Sequence, residues 1–402
     1  MNEAKEKVRV LFSFPHKLGG DRISLIAWQQ VNGLIGAGAE VIVFASSLNG
    51  PPPHGARVHT TLARGKVRLP YRLFGSMRTF AMHDYIVSRK INDLSKEIDI
   101  VHTWPLGALR TLKTCAKLDI PTVLERPNAY TPFALEVVRK ECERLAITMP
   151  PGHEHAENPE KIRVEEAEYE VADRLLCPSE FVARTFLDVG FPNEKLARHQ
   201  YGFNETAFYP DATPRDPERG LTMLFAGGCA PRKGLHYALE AWLRSDAHRT
   251  GHFLVAGEFI PGYGEKLAQM LAHPSVRVLG HRKDVPELMR SSDIFVLPTI
   301  EEGSALVTSE ARGSGCVLLV SEASGAVCRH MENALVHRVG DVDALTEHIT
   351  TLNHDRKVLA DLRSASLRTV DQITWAAAGR RLLQVYRETI SMSRDRSVCE
   401  TA

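Results

Sequence analysis

Residues 291–320 read SSDIFVLPTIEEGSALVTSEARGSGCVLLV, and this stretch carries the strongest structural signal in the chain. Its pattern predicts a buried strand at 294–297, a Pro/Thr/Glu/Gly turn, an apolar-periodic helix at 306–312 and a second buried strand at 317–320. In a parallel α/β sheet, a strand–turn–helix–strand unit places its turn at the carboxyl ends of the strands, beside the amino end of the helix. Ligands bind at that edge and anions are favoured there, so the turn is a candidate ligand site.

Two glutamates lie in this unit, Glu302 in the turn and Glu310 in the helix, with seven residues between them. Eight helical positions amount to a little over two turns, so both carboxylates can face the same cleft from different heights. For a bare pair, the simplest interpretation is that Glu310 belongs to a solvated helix face and that Glu302 caps the helix start. The residues around the pair favour a functional interpretation instead.

The stretch resembles the signature of the family 4 glycosyltransferases, which have the GT-B fold. It shows Glu-x7-Glu after an apolar strand that ends in Pro-Thr, and Ala311 and Gly315 follow the second glutamate. In that family the first glutamate, here Glu302, faces the donor sugar, and the second, here Glu310, hydrogen-bonds the ribose of the sugar nucleotide. The resemblance implies an α/β protein of two Rossmann-like domains facing each other across a cleft. It also implies a site that uses the backbone of Gly303, Ser304, Ala305 and Leu306.

A second segment, FAGGCAPRKG at residues 225–234, runs from a strand through a small-residue loop into a helix start. Taken alone, it would be a surface turn whose two cations are solvated. Beside Glu-x7-Glu it resembles the diphosphate site of the family, in which a helix amino end and a basic residue neutralise the departing nucleotide. The resemblance assigns this positive charge to Lys233 and Arg232, without a metal ion or other cofactor, and places Gly227 and Gly228 in the loop.

The nucleobase site and the first-domain loop are less closely defined by the sequence. In this fold the base contacts mainly backbone groups, here expected near Gly280 and His281, so a UDP donor and a GDP donor both stay open. In the first domain, the β-loop-α opening carries Gly19 and Gly20 at its turn. Glycines let backbone amides approach a ligand closely, so we include both among the candidate binding residues.

Two positions depart from the common family pattern. Gly228 stands where most members carry an arginine, and Pro127 stands where a histidine commonly touches the donor sugar. The main hypothesis is a retaining glycosyltransferase that moves a sugar from a nucleotide-sugar donor to a glycan, lipid-linked or small-molecule acceptor. The alternatives are a nucleotide-sugar epimerase on the same fold and a catalytically weak, transferase-like binding subunit.

Composition predicts an ordinary two-domain globular protein, since the chain has 402 residues, 44% of them hydrophobic and 25% charged. A net charge of +1 gives no global field that would select nucleic acid. Seven cysteines are scattered without a C-x-x-C pair, which favours a reducing cytoplasm. No apolar run reaches the ~18 residues of a membrane span. His153 and His155 lack the i,i+4 helical spacing of a zinc motif, so no metal site is predicted there.

Strand and helix patterns alternate along most of the chain, which predicts mainly parallel sheets covered by helices. The best linker is DATPRDPERG at residues 211–220, because it combines two prolines with mixed charges. The predicted domains are therefore 1–210, on the acceptor side, and 211–375, on the nucleotide-sugar side. Residues 376–402 are expected to form a helix that crosses back onto the first domain, followed by a frayed tail.

The segment from Arg64 to Phe80, RGKVRLPYRLFGSMRTF, is basic and interleaved with aromatic residues. One interpretation is a solvated surface whose aromatic rings enter the core. The other is a membrane-surface patch, in which cations meet anionic headgroups at ~1 kcal/mol each while Tyr71, Phe74 and Phe80 dip below them. We therefore expect a cytoplasmic protein whose acceptor is either soluble or reached by peripheral contact with the inner membrane surface.

Overall fold

The computed structural model describes residues 7–64, 67–68, 75–150, 152–153, 155–156, 158–211 and 219–401 of the chain. Two parallel β-sheets lie within this part, one of seven strands and one of six, and helices accompany both. Their central strands are apolar runs buried on both faces, as parallel sheets covered by helices require, whereas the edge strands at 57–60 and 276–280 are largely exposed. The prediction of two parallel-sheet α/β domains is confirmed.

The first domain contains the strands β1 (Arg9–Leu18), β2 (Glu40–Leu48), β3 (Arg57–Thr60), β4 (Ala63–Arg64), β5 (Val67–Arg68), β6 (Ile100–Thr103), β7 (Thr122–Glu125), β8 (Arg174–Cys177) and β9 (Leu196–Arg198). Its described helices are α1 (Arg22–Gly36), α2 (Ser76–Leu94), α3 (Leu109–Lys117), α4 (Thr131–Leu145), α5 (Pro159–Val171) and α6 (Glu180–Leu187). The sheet order is β3-β2-β1-β6-β7-β8-β9, and β4 and β5 form a separate antiparallel pair.

The second domain contains the strands β10 (Thr222–Ala226), β11 (His252–Ala256), β12 (Val276–Gly280), β13 (Ile294–Leu297), β14 (Val317–Ser321) and β15 (Ala334–His337). Its described helices are α7 (Leu235–Arg244), α8 (Tyr263–Lys266), α9 (Ala268–Leu271), α10 (Val285–Ser291), α11 (Leu306–Gly313), α12 (Val342–His354) and α13 (Arg356–Leu367), and α14 (Trp375–Thr401) ends the chain. The sheet order is β12-β11-β10-β13-β14-β15.

The order of the strands defines where a ligand can enter. In the first sheet, β2 and β3 lie on one side of β1 and the later strands, from β6 onward, lie on its other side. In the second sheet, β11 and β12 lie on one side of β10 and the later strands, from β13 onward, lie on its other side. Such a change of side opens a crevice outside the carboxyl ends of the strands. Glu301 and Glu302 follow β13 closely and precede α11, so the fold delivers them to this crevice.

Three elements differ from the sequence prediction. The apolar run at residues 8–15 predicts the first strand, but β1 continues past Pro15 to Leu18 because its end pairs again with the end of β2 beyond an irregularity in register. Helix α4 had no counterpart among the predicted elements. Helix α14 runs to Thr401 where a frayed tail was expected, since residues 393–401 contain neither glycine nor proline to end it.

Helix α14 leaves the second domain and packs on α1 of the first. The two helix backbones approach each other at a pair of glycines: a Cβ added at Gly379 would lie 2.3 Å from the carbonyl carbon of Gly33. Further along α14, the Tyr386 hydroxyl lies 2.5 Å from Nδ1 of His102 in β6. The middle of α14, including Leu382, Leu383 and Tyr386, is therefore part of the first domain's core.

Two further sequence predictions concern membrane-spanning segments and the linker between the domains. Among the helices of the described residues, none combines the length and the apolar character needed to cross a membrane. The linker predicted at 211–220 lies mostly outside the described residues, which resume at 219.

Candidate active site

A cleft of about 970 Å³ lies between the two domains. Its first-domain wall is formed mainly by α1 and by the loops after β7 and β9, and its second-domain wall by the turns after β10 and β13. Nine of the residues predicted from the sequence line it together: Gly227, Gly228, Arg232, Lys233, Glu302, Ser304, Ala305, Leu306 and Glu310.

Glu302 is held by two cations from a neighbouring turn. The short 3-10 helix Pro231–Lys233 is fixed against this loop, because the Ile300 amide donates to the Arg232 carbonyl at 2.9 Å. Arg232 Nη1 donates to Glu302 Oε1 at 2.7 Å, and Lys233 Nζ donates to the same oxygen. All three side chains face the cleft.

These cations keep the Glu302 carboxylate ionised although it is buried. Burial by itself raises the pKa of Glu302, but the charges of Arg232 and Lys233 outweigh it and the pKa ends below its ordinary value. Burial lowers the pKa of Lys233, against the opposing charge of Glu302. Two cations thus share one carboxylate oxygen at the cleft wall, and the Glu301 carboxylate lies 3.6 Å from Arg232 Nη1 on the other side. Arg232 and Lys233 place positive charge where an anionic ligand can reach it.

Glu310 lies one turn into α11 and also lines the cleft. Burial raises the pKa of its carboxyl to about 7. Within the described part of the chain, no group hydrogen-bonds to this side chain. A carboxylate in that position is available to accept hydrogen bonds from the hydroxyl groups of a ligand.

The backbone around these side chains is open to the cleft on two sides. Ala305 precedes the first residue of α11, so the partial positive charge of the helix amino end is directed to this part of the cleft. On the wall after β10, a Cβ added at Gly227 or Gly228 would meet no atom within 4 Å. A ligand's diphosphate can therefore approach the backbone at both places.

Gly303 lies between the cleft residues Glu302 and Ser304, at a point where the two domains touch. A Cβ at this position would lie 1.6 Å from the Pro127 carbonyl oxygen of the first domain. The Ser179 hydroxyl, also of the first domain, donates to the Gly303 carbonyl at 2.6 Å. Only glycine permits this approach, because any side chain would push the domains apart.

Glu301 and His155 form a contact that the sequence did not indicate. His155 Nε2 donates to Glu301 Oε2 at 3.2 Å, and Arg232 Nη1 donates to the Glu301 carbonyl at 2.9 Å. His155 comes from the first-domain loop between α4 and α5, so this loop reaches the residue that precedes Glu302. His153 of the same loop lines the cleft.

Four further predicted binding residues lie away from the described lining of the cleft. Gly280 ends β12, and His281 follows it at the surface. Gly19 and Gly20 pack against Asn49, and a Cβ at Gly19 would lie 2.7 Å from the Asn49 carbonyl oxygen. Both adopt positive φ, so the fold itself requires glycine at this turn.

Other residues of the cleft wall were missed because only the fold brings them there. Arg22 begins α1 with positive φ, and Tyr201 lies in the loop after β9. Tyr201 follows the last strand of the first sheet, and only the fold brings it to the cleft wall. Pro127, noted as a departure, lines the cleft at the expected strand end.

For the segment from Arg64 to Phe80, the prediction that Phe80 enters a membrane is wrong. Phe80 is buried and its ring makes an edge contact with His16 at 4.6 Å, so it cannot dip into a bilayer. Tyr71 and Phe74, the other two rings of that prediction, lie outside the described residues.

Two family models match this chain. The model described as Glycosyltransferase Family 4 matches residues 24–204, and the model described as Glycosyl transferases group 1 matches residues 220–355. Between them they cover most of both domains.

Two curated proteins are similar to parts of the chain. The N,N'-diacetylbacillosaminyl-diphospho-undecaprenol alpha-1,3-N-acetylgalactosaminyltransferase of Campylobacter jejuni is 29% identical over 124 residues, which are 30% of this chain and 33% of that protein. The UDP-Gal:alpha-D-GlcNAc-diphosphoundecaprenol alpha-1,3-galactosyltransferase of Escherichia coli is 30% identical over 81 residues, which are 20% of this chain and 21% of that protein. The chain thus aligns with about a third and a fifth of these relatives' lengths.

Among solved structures, the fold is similar to that of Anabaena HepE in complex with UDP. The match has a TM-score of 0.64 at 16% sequence identity and covers 95% of this chain and 100% of that chain. At this identity the likeness concerns the fold.

Proposed function

This chain belongs to the family 4 glycosyltransferases, and on that premise we propose that it transfers a sugar from a nucleotide-sugar donor in the cleft to an acceptor bound by the first domain. The observation that carries the proposal is the cluster of Glu302 with Arg232 and Lys233. It shares one cleft with the unpartnered Glu310 and the amino end of α11. This arrangement offers cations for a diphosphate and a carboxylate for a ribose.

The proposed reaction exchanges one bond at the anomeric carbon of the sugar. The bond from C1 to the phosphate oxygen breaks, the acceptor hydroxyl forms a new bond to C1, and its proton passes to the departing diphosphate. We expect attack from the face that the diphosphate leaves, so the configuration is retained. Lys233 and Arg232 offset the charge that grows on the diphosphate, and Glu302 helps carry the positive charge of the sugar. In this proposal protein groups alone supply the stabilisation, without a metal ion.

For the donor we propose a UDP-sugar. The name of the Escherichia coli relative specifies UDP-Gal, and HepE was solved with UDP bound. The nucleotide's ribose would lie at Glu310 and its diphosphate between the amino end of α11 and the loop of Gly227 and Gly228.

For the acceptor we propose a lipid-linked sugar. Both curated relatives are named for acceptors that carry a diphospho-undecaprenol group. An acceptor of this kind stays in a membrane, so the protein would work at the membrane surface by peripheral contact. The six described cysteines are free thiols, which supports action on the cytoplasmic side.

The test combines donor binding with product analysis. Thermal shift with UDP-, GDP- and ADP-sugars should single out one nucleotide, because a ligand at ~100 times its Kd stabilises by ~2.7 kcal/mol. With that donor and a prenyl-diphosphate sugar, the expected product is the acceptor extended by one sugar with retained configuration. Conversion of the donor without any acceptor to an epimeric sugar would instead identify an epimerase. No turnover of any donor would contradict the proposal.

A further inference from the structure

The outer face of α2 and α3 carries five exposed cations without acidic partners. They are Arg78 and Arg89 on α2 and Arg110, Lys113 and Lys117 on α3. Within the described part of the chain, none of the five forms an ion pair. Surface arginines elsewhere are commonly paired, as Arg57 is with Glu97 at 2.8 Å. We refer to this surface as the α2–α3 face.

The acids of these two helices do not neutralise the face. Asp84 is turned inward, where it accepts from the backbone amides of Arg110 at 2.7 Å and Thr111 at 2.9 Å and so caps the start of α3. Asp93 is paired with Lys90 at 3.3 Å. Helix α3 contains no acidic residue. The positive charge of the face is therefore a fixed property of the fold.

Large apolar side chains stand exposed among these cations. Met82 is 46% exposed and Tyr85 is 51% exposed, and both lie on α2 in one stripe with Arg78 and Arg89. Arg110 of α3 lies 5.8 Å from the centre of the Tyr85 ring, so the stripe continues across both helices. The same residues form one cationic and apolar surface that no part of the described chain covers.

We propose that the α2–α3 face binds the surface of an anionic lipid bilayer, a proposal that rests on the lipid-linked acceptor proposed above. Cations spaced between an exposed methionine and an exposed tyrosine match anionic headgroups above and acyl chains below. A protein interface can also bury Met and Tyr, and a base can stack on Tyr, so the lipid-linked acceptor proposed above is what favours a bilayer as the partner. The face thus replaces Phe80 with Met82 and Tyr85 as the side chains that enter the bilayer.

The position of the face relative to the cleft fits this role. Helix α3 follows β6 directly, so it starts at the carboxyl edge of the first sheet. The first turns of α2 lie at the same edge, because the Phe80 ring of α2 contacts His16 near the end of β1. The cleft opens at the same edge. Binding through this face would hold the acceptor domain against the bilayer with the cleft near the headgroups.

The test uses the full chain and vesicles of phosphatidylcholine with or without phosphatidylglycerol. The charge variant is Arg78→Ser with Arg89→Ser and Lys113→Ser, and its matched control is Arg249→Ser with Lys266→Ser and Arg368→Ser on the second domain. We expect the parent and the control to co-sediment with anionic vesicles at low salt and the charge variant to bind at least about ten-fold more weakly. Equal binding by the charge variant and the control would overturn the proposal.

Two further measurements test the insertion of Met82 and Tyr85 and separate membrane binding from the proposed transferase activity. Met82→Ser with Tyr85→Ser should also weaken vesicle binding, and an unchanged affinity would mean that nothing enters the bilayer and would overturn the insertion. Release of UDP from a UDP-sugar without vesicles should stay within about two-fold of the parent in all these variants. If the variants release UDP normally and also bind vesicles as well as the parent, the α2–α3 face is not a docking surface, and the transferase proposal is unaffected.

Discussion

At the scale of the residue, Glu310 gives a prediction about pH. Burial raises the pKa of its carboxyl from 4.5 to about 7, so the group changes its charge within the neutral range. Its contribution to stability is present below about 4.5 and is lost as the pH rises through about 7. Ligand binding has the opposite sign, because ribose hydroxyls donate better to the ionised carboxylate. The affinity for a UDP-sugar, whose diphosphate does not titrate near neutral pH, should therefore increase from about pH 6 to about pH 8.

Glu310→Gln tests that assignment by calorimetric titration with the same UDP-sugar at several pH values. The amide does not titrate, so the increase of affinity with pH should disappear. At pH about 8 the affinity should fall roughly ten- to a hundred-fold, since a charge-assisted bond is worth ~1.5–3 kcal/mol. Glu347→Gln, at an exposed position of α12, is the matched control and should keep the parent's profile. A pH profile that survives in Glu310→Gln would rule out the ribose role.

Lys233 and Arg232 contact the same oxygen of Glu302, yet they should differ in kinetics. Arg232 is also bound to the Glu301 carbonyl, which makes it part of the turn's structure. Lys233 has no second partner of this kind in the described residues, so its charge can follow the departing diphosphate. Lys233→Ala should therefore lower kcat by roughly ten-fold or more with a smaller change in KM. Lys266→Ala is the surface control, and a raised KM with an unchanged kcat would contradict this role.

The residues that sequence reasoning placed correctly in the cleft share one property. Glu302, Glu310 and Lys233 lie on local strand–turn–helix units, whose geometry follows from nearby residues. Gly303 lies in the same unit, but its contact with the Pro127 carbonyl of the other domain was not predicted. His155 was missed for the same reason, since its partner Glu301 is distant in sequence. Contacts between domains leave no periodic pattern in a sequence.

At the scale of the element, α4 belongs to the first domain by its position in the chain but packs against the second domain. It lies between β7 and β8 of the first sheet, yet Leu145 at its end is buried in the hydrophobic core of the second domain. On the same helix, Glu141 accepts from the Tyr237 hydroxyl at 2.8 Å and lies 2.7 Å from His236 Nε2 of α7. Helix α4 also packs on the turn that carries Lys233. It therefore fixes one wall of the cleft relative to the other.

Leu145→Ala should consequently lower the free energy of unfolding by ~2–5 kcal/mol, the usual cost of a large-to-small change in a core. Leu135→Ala on the same helix is the control, because Leu135 is only half-buried and lies on the first-domain side near Pro159. We expect a clear drop of the thermal midpoint for Leu145→Ala and a small one for Leu135→Ala. Equal drops for the two variants would show that the end of α4 does not anchor in the second domain.

At the scale of the whole molecule, α14 closes the structure by returning from the second domain to the first. The apolar periodicity of each strand predicted both sheets, because burial of a parallel strand is written in its own residues. The packing of α14 on α1 was not predictable in detail, since it depends on two glycines at opposite ends of the chain, Gly33 and Gly379. Their backbones touch, and this contact sets the distance between the helices.

Gly379→Ala tests whether that contact holds the molecule together. In an open helix the change from glycine to alanine stabilises by up to ~1 kcal/mol. Here the new Cβ would lie 2.3 Å from the Gly33 carbonyl oxygen, and backbone cannot move aside cheaply, so we expect destabilisation of ~1–3 kcal/mol. Gly36→Ala is the control on α1, because its Cβ would meet no atom within 4 Å. Calorimetry should show a lowered thermal midpoint for Gly379→Ala alone. If Gly379→Ala raises the midpoint as Gly36→Ala does, then α14 does not depend on close contact with α1.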